Sequence, residues 1–191
     1  SERSILSTCY CIFLAFFCLL NELLISNFNL QYVAQYTSYE TPTFYKVTAL
    51  WAGQAGSLLF WSFITSLFTV IYIFENLKKM ENLKFNSYLI LTFIFSFFII
   101  LSSFIANPFE PVSSDIIVQN GNGLNPLLQN FFMAIHPPIL YVGFTGCTII
   151  FVMAMAASIS KNVSFDWVRS IRKWSLIVWT FLSAGIILGG Y

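Results

Sequence analysis

Tyr88-Leu89-Ile90-Leu91-Thr92-Phe93-Ile94-Phe95-Ser96-Phe97-Phe98-Ile99-Ile100-Leu101-Ser102-Ser103-Phe104-Ile105-Ala106 is a run of nineteen residues without a single charge. A helix needs about 20 predominantly apolar residues to cross the hydrocarbon core of a bilayer, so the run reads directly as a membrane span. It ends at Asn107-Pro108, because proline disfavours helix in the residue before it. Four more runs of the same kind flank it: Ile5 to about Ile25, about Leu50 to Phe74, Pro138 to about Ile159, and Trp174 to at least Leu188. The expected fold is all-α: a polytopic membrane protein with about five transmembrane helices and a short interfacial helix on the outer face.

Composition points the same way. Of 191 residues, 58% are hydrophobic and 9% charged, with a mean hydropathy of +0.77. An ordinary soluble domain carries about a quarter charged residues. Nine Lys and Arg against eight Asp and Glu leave almost no net charge, which excludes the basic face expected of a nucleic-acid binder. The 22 Phe, 9 Tyr and 5 Trp exceed what a minimal anchor requires, although aromatic side chains serve both at bilayer interfaces and in packing.

The first residue is Ser1 and the last, Tyr191, lies in an apolar run, so both ends are expected to be cut and the fifth span incomplete. Arg3 precedes the apolar stretch Ile5 to Leu20, as in a signal peptide. However, Asn21 and Glu22 follow it instead of a small-residue cleavage site, and a retained helix is expected.

The cations give an orientation. Arg3, Lys78, Lys79, Lys84, Lys161, Arg169, Arg172 and Lys173 are eight of the nine, and alternation of five spans puts all of them on one side. The opposite side, comprising outer-face loops about 26–49 and 107–137, has only Lys46. Basic loops stay in the cytoplasm or its organellar equivalent. The two outer loops, about 24 and 31 residues long, exceed the usual connection and suggest a functional surface. They hold Glu40, Glu110, Asp115 and the only histidine, His136.

Cys9, Cys11, Cys18 and Cys147 have no metal-like spacing and read as packing residues in apolar surroundings. Asn162-Val163-Ser164 matches a glycosylation acceptor but falls on the retained side, where the match has no meaning. Gly143 and Gly146, and the G-x-x-x-G pair Gly185 and Gly189, read as helix-contact positions.

The most informative stretch runs from Gly121 to Tyr141. Asn125 followed by Pro126 is an N-cap with a first-turn proline. Leu127, Leu128, Phe131, Phe132 and Ile135 then recur at helical spacing, which predicts a short helix lying on the membrane surface. Pro137 and Pro138 end that helix and open the next span, so His136 is expected on a stiff corner at the outer water–lipid boundary. There it is either a structural cap bonded to a backbone carbonyl or a metal or haem-iron ligand. A bis-histidine site would need its second ligand from elsewhere. Upstream, Trp51 and Trp61 flank small residues in Ala49-Leu50-Trp51-Ala52-Gly53-Gln54-Ala55-Gly56-Ser57-Leu58-Leu59-Phe60-Trp61. They read either as packing and interfacial anchors or as walls against which a flat ligand can approach.

Asn122-Gly123-Leu124-Asn125-Pro126-Leu127-Leu128-Gln129 through His136-Pro137-Pro138-Ile139-Leu140-Tyr141-Val142-Gly143-Phe144 resembles the CcmF proteins of cytochrome c-type biogenesis, within the haem-handling family that also includes CcmC and CcsA. Ala49-Leu50-Trp51 with Gly56-Ser57-Leu58-Leu59-Phe60-Trp61 resembles a second block of the same family at the expected distance upstream. Trp174-Ser175 to Gly185 and Gly189-Gly190-Tyr191 resembles the helix leading into its tryptophan-rich WWD segment. The three blocks cover most of the chain after residue 48.

The resemblance implies a haem lyase, which receives haem from the haem chaperone CcmE and presents it to apocytochrome c, whose Cys-x-x-Cys-His thiols add across the haem vinyl groups. His136 matches an outer-face axial ligand of haem b. The implied cofactor-binding set is His136, Trp51, Trp61, Pro137, Pro138 and Tyr141, with no catalytic acid or base. Implied partners are the remainder of CcmF, CcmE, a CcmH-type thiol-handling protein, apocytochrome c and the lipid bilayer.

Two departures stand out: Gln54-Ala55 replaces the family's usual His-Glu, and the WWD segment expected downstream is absent, as are the further histidines. Residues 1–191 are therefore expected to be a single membrane domain, the N-terminal part of CcmF and an incomplete lyase by itself. Heavy use of Phe, Ile, Asn and Tyr points to an organellar genome, hence the mitochondrial inner membrane ahead of a bacterial inner membrane, with His136 on the intermembrane-space or periplasmic side. The rival is a non-catalytic membrane subunit or small transporter module with His136 as a structural helix cap.

Overall fold

The structure, a computed structural model, describes residues 1–113 and 118–190. Asp115, one of the outer-loop acids, and Tyr191 lie outside the described residues. The elements are α1 (Glu2–Ile25), α2 (Gln31–Tyr36), α3 (Thr43–Thr48), α4 (Gln54–Ile71), α5 (Lys84–Ile100), α6 (Phe131–Ser160) and α7 (Phe165–Gly189). Single 3₁₀ turns at Ala49–Trp51, Leu77–Lys79, Glu81–Leu83 and Pro126–Leu128 and π segments at Tyr72–Asn76 and Leu101–Ile105 complete them. Among the described residues there is no strand, only an isolated bridge between Leu30 and Pro111. Five helices are long and apolar enough to cross a membrane: α1, α4 with its extension to Lys79, Glu81–Ile105 around α5, α6 and α7. The chain is an all-α integral membrane protein.

The spans differ in how much of their surface they bury. In α1 the buried residues are Ile5, Cys9, Ile12, Phe16, Leu19 and Leu23, the three-and-four spacing of one helix face. Phe16 stacks on Phe63 of α4 with ring centroids 4.0 Å apart. More than half of the most apolar stretch of α4 is buried, against under a fifth for α5 and α7, so α4 is the central helix. Of the cysteines only Cys9 is buried; Cys11, Cys18 and Cys147 are exposed on the helix surface, so packing accounts for one of the four.

The glycines of the last two spans act as the sequence suggests. A Cβ on Gly143 would lie 2.6 Å from Leu182 Cδ2, one on Gly146 2.5 Å from Val178 Cγ2, and one on Gly185 2.6 Å from Leu140 Cδ2. Real carbon pairs essentially never come this close, so a side chain at any of the three would force its neighbour on the facing helix to shift.

The two outer loops are knitted into one platform. Gln31 N donates to Glu110 O (2.9 Å) and Val112 N to Asn29 O (2.8 Å), while Asn122 N and Gly123 N donate to Ala34 O and Thr37 O at the end of α2. Gly123 adopts a φ of 76°, the left-handed region that glycine enters without steric cost. Lys46, the lone outer cation, donates to Ser26 Oγ at 2.6 Å beside the end of α1. At the opposite end, Tyr88 Oη donates to Glu2 (2.8 Å) and Asn86 to Ser160 (2.8 Å), and Lys173 pairs with Glu75 (2.9 Å). The segments bearing the other eight cations meet at that end.

Two boundaries differ from the sequence reading. The second span begins at Gln54, not Leu50, because Gly53 is extended (φ −126°, ψ 166°) and separates α4 from the Ala49–Trp51 turn. The surface helix expected over Leu127 to Ile135 is broken. Asn125 caps Leu127 N (2.9 Å) as expected, but only the turn Pro126–Leu128 follows. Asn130 then caps Phe132 N (2.9 Å) and starts α6. The sequence holds two N-cap asparagines five residues apart, and the second begins the long helix. That helix runs through Pro137 and Pro138 without stopping, so His136 lies within α6 and not on a corner.

Candidate functional site

Proline inside a helix removes the donor to the carbonyl four residues back, at a typical cost of about 3 kcal/mol. Pro138 leaves the Ala134 carbonyl without its usual N–H. The indole Nε1–H of Trp51 donates to that oxygen at 3.1 Å, and Ala134 is itself buried. A side chain from another segment replaces the backbone donor that Pro138 lacks, which supports the continuation of α6.

Trp51 is placed by Tyr32, a residue in which the sequence shows no functional signal. Its hydroxyl donates to Ala49 O (2.8 Å) and accepts from Gly53 N (3.1 Å), pinning the turn that carries Trp51. Burial pushes the Tyr32 phenol above its ordinary pKa, so it remains a neutral donor. Any Cβ on Gly56 would collide with this hydroxyl and with Leu50 O. The Gly53 and Gly56 positions of the tryptophan block therefore make room for Tyr36 and Tyr32.

The structure gathers most of the aromatic candidates and leaves the histidine apart. Trp51 packs on Phe60 (5.2 Å), Phe60 on Tyr141 (5.4 Å), Tyr141 on Trp61 (5.8 Å) and Trp61 on Phe98 (5.4 Å). This row runs between α4, α5 and α6. At 3.6 residues per turn, Tyr141 lies about 140° around α6 from His136. The histidine faces α7, where a Cβ on Gly189 would lie 3.3 Å from its Cδ2. Pro137 and Pro138 are half-buried between the two faces.

His136 is itself half-buried, on the same face as Phe132 and Leu140. Its Nδ1 lies 3.1 Å from Phe132 O. A carbonyl only accepts, so Nδ1 carries the hydrogen, and in the neutral ring Nε2 keeps its lone pair. A backbone bond of this type orients a histidine and fixes which nitrogen can act as a metal ligand. Exposed Phe132 lies one turn away on the same face, and Gly189 adds no side chain beside the ring. A neutral nitrogen donor in apolar surroundings fits an iron porphyrin. Among the described residues no cluster of three or more His, Cys, Asp or Glu is placed to hold a bare metal ion.

Gln54 and Ala55 open α4 and line an outer cavity of about 250 Å³ with Gln31, Gln35 and Glu110. They stand on the α2 side of the platform. Glu40, on the same platform, is held below the usual carboxylate range, chiefly by hydrogen bonds from Asn120.

A profile described as "Cytochrome C assembly protein" matches residues 51–191. The chain is 37% identical over 167 residues to the cytochrome c-type biogenesis protein NrfE of Haemophilus influenzae, covering 87% of this chain and 26% of that protein. It is 33% identical to CcmF of Pseudomonas aeruginosa (93% and 27% covered) and 31% identical to CcmF of Escherichia coli K12 (92% and 27%). A solved structure, the cytochrome c haem lyase CcmF, superimposes with a TM-score of 0.78 at 29% identity over 95% of this chain and 28% of that one. The chain thus spans about a quarter of the length of the curated relatives it matches. With the family profile matched over residues 51–191 and the fold superimposed along 95% of the chain, it belongs to the cytochrome c assembly protein family.

Proposed function

We propose that this chain is the N-terminal membrane part of a cytochrome c haem lyase and supplies one axial ligand, His136, to haem held at the outer face for attachment to apocytochrome c. The observation that carries the proposal is the bond from Nδ1 to Phe132 O, which leaves Nε2 as the coordinating nitrogen. Haem supplies an iron site open to such a nitrogen, and the second ligand comes from outside this chain. Positioning is the task of the protein here, since thiol addition to a vinyl group benefits from proximity and orientation more than from a strong acid or base. Pro137 and Pro138 stiffen the backbone after the ligand. Trp51 anchors the helix beneath it, and Trp61 and Tyr141 complete the aromatic row that fixes α6 against α4.

The remainder of the lyase, a CcmE-type haem donor, a CcmH-type thiol-handling protein and apocytochrome c are the partners this role requires. The basic end faces the matrix or cytoplasm and His136 the intermembrane space or periplasm. Codon-driven composition favours the mitochondrial inner membrane.

The test is covalent c-type haem, measured by in-gel peroxidase staining with the complete set of lyase components present. His136→Ala abolishes staining at normal protein levels. His136→Gln keeps a donor for Phe132 O but supplies no coordinating nitrogen, and also abolishes it. Unchanged staining in either variant overturns the ligand role, and staining lost in Ala but retained in Gln makes His136 a structural cap.

A further inference from the structure

The basic end holds a second preformed site. Asn76, in the π segment that ends the second span, donates from Nδ2 to Ser170 Oγ at 2.8 Å, and Trp174 Nε1 donates to Asn76 Oδ1 at 3.3 Å. Asn76, Ser170 and Trp174 are all buried. These bonds lock the end of the second span to the first turns of α7. Between them lies a cavity of about 400 Å³ whose lining includes Asn76 and Ser170, the cations Lys79, Arg169 and Lys173, and the acids Glu75 and Asp166. Segments 74–79 and 165–173 together carry five cations, Lys78, Lys79, Arg169, Arg172 and Lys173, against those two acids. Lys173 is paired with Glu75 at 2.9 Å, whereas Lys79 and Arg169 have no carboxylate within 4.0 Å among the described residues.

The depth of the site is marked by exposed aromatics. Phe74 and Phe165 project from the protein surface, with Lys78 Nζ 4.7 Å from the centroid of the first and the Arg169 guanidinium 5.1 Å from that of the second. Apolar rings with cations over them are suited to the level where acyl chains meet headgroups. A concave basic site between transmembrane helices at that level recognises a phosphate headgroup while the acyl chains lie along the apolar helix surface. π segments inside helices recur at functional sites, and this one directs Asn76 into the helix pair.

We propose that this cavity binds the headgroup of an anionic phospholipid, with Lys79 and Arg169 as the phosphate-contacting cations and the Asn76–Ser170–Trp174 bonds as the scaffold. The proposal is independent of His136 and of haem.

The experiment is native mass spectrometry of the full chain purified in detergent and supplemented with phosphatidylglycerol or phosphatidylcholine. Wild type is expected to retain phosphatidylglycerol preferentially. The double variant Lys79→Ala/Arg169→Ala, at exposed positions that leave the fold intact, is expected to bind it about tenfold or more weakly for two lost cations. Lys161→Ala, an inner-side cation outside the cavity, keeps wild-type retention. Equal retention of the two lipids, an unaffected double variant, or an equal loss in Lys161→Ala overturns the proposal. Displacement of the lipid by millimolar glycerol 3-phosphate also overturns it, because the site would then serve a soluble phosphate.

Discussion

Trp51 Nε1 stands 3.1 Å from Ala134 O, the carbonyl that Pro138 cannot serve. The two residues are 83 positions apart, and their bond satisfies the carbonyl freed by the second of two consecutive prolines. Trp51→Phe keeps the ring and removes the donor. A buried acceptor left unsatisfied costs about 1–3 kcal/mol, so the variant is expected to melt several degrees lower. Its amides from 131 to 136 are expected to exchange faster in hydrogen–deuterium exchange, while α1 and α7 do not change. Unaltered exchange there would mean that the indole is not what sustains the helix.

Tyr32 and Gly56 form one structural unit. Tyr32→Phe strands Gly53 N in a buried place and leaves Ala49 O with the Ala52 amide alone, with an expected loss of about 1–3 kcal/mol. Gly56→Ala forces the added methyl against the Tyr32 hydroxyl and Leu50 O, an overpacking of similar size. Thermal denaturation followed by size-exclusion chromatography should show both below wild type. The double variant should be less destabilised than the sum, since each change disturbs the same contact.

Gly189 sets the room beside the proposed ligand. A Cβ there lies 3.3 Å from the His136 ring, so Ala requires a small shift and Leu requires the ring to move. Gly189→Ala should retain most haem attachment, whereas Gly189→Leu should lose most of it with the protein still present in the membrane. Peroxidase staining against protein level measures both, and a fully active Leu variant would show that the imidazole need not face α7.

Glu40 links the two outer loops through Asn120 Nδ2 at 3.0 and 3.2 Å. Its folded-state pKa is lowered, chiefly by this bond, so the linkage is fully present above the unfolded carboxylate value. It is lost as pH falls through the folded one. The protection factors of the backbone amides of 120–123, each taken relative to the intrinsic exchange rate at the same pH, should therefore fall on acidification below the ordinary carboxylate range, and Glu40→Gln should remove that dependence. A wild-type profile matching that of Glu40→Gln would leave the loop contact without an electrostatic contribution.

Much of the site was legible along the chain because hydropathy and charge are local properties. His136 near the outer end of the fourth span, the contact glycines of α6 and α7 and the Asn125 cap all follow from residue type and spacing. The continuity of α6 did not, because Pro137-Pro138 predicts a break unless a donor arrives from elsewhere. Nor did the direction of His136. Periodicity places it on a helix but does not say which neighbour meets that face, and Trp51, Trp61 and Tyr141 turned out to occupy the face opposite.

By itself the sequence determined that this chain has five helices long and apolar enough to cross a membrane, that eight of its nine cations lie at one end and that its histidine lies at the other. Those outcomes need only the cost of moving charge into hydrocarbon and the length of a helix. Tertiary structure alone decided that Trp51 supports a proline-interrupted helix, that Tyr32 holds Trp51 in place, and that Asn76 and Ser170 close a basic cavity. Each of these depends on a hydrogen bond between distant segments, and such bonds are specified only when the packed helices bring donor and acceptor within 3.3 Å.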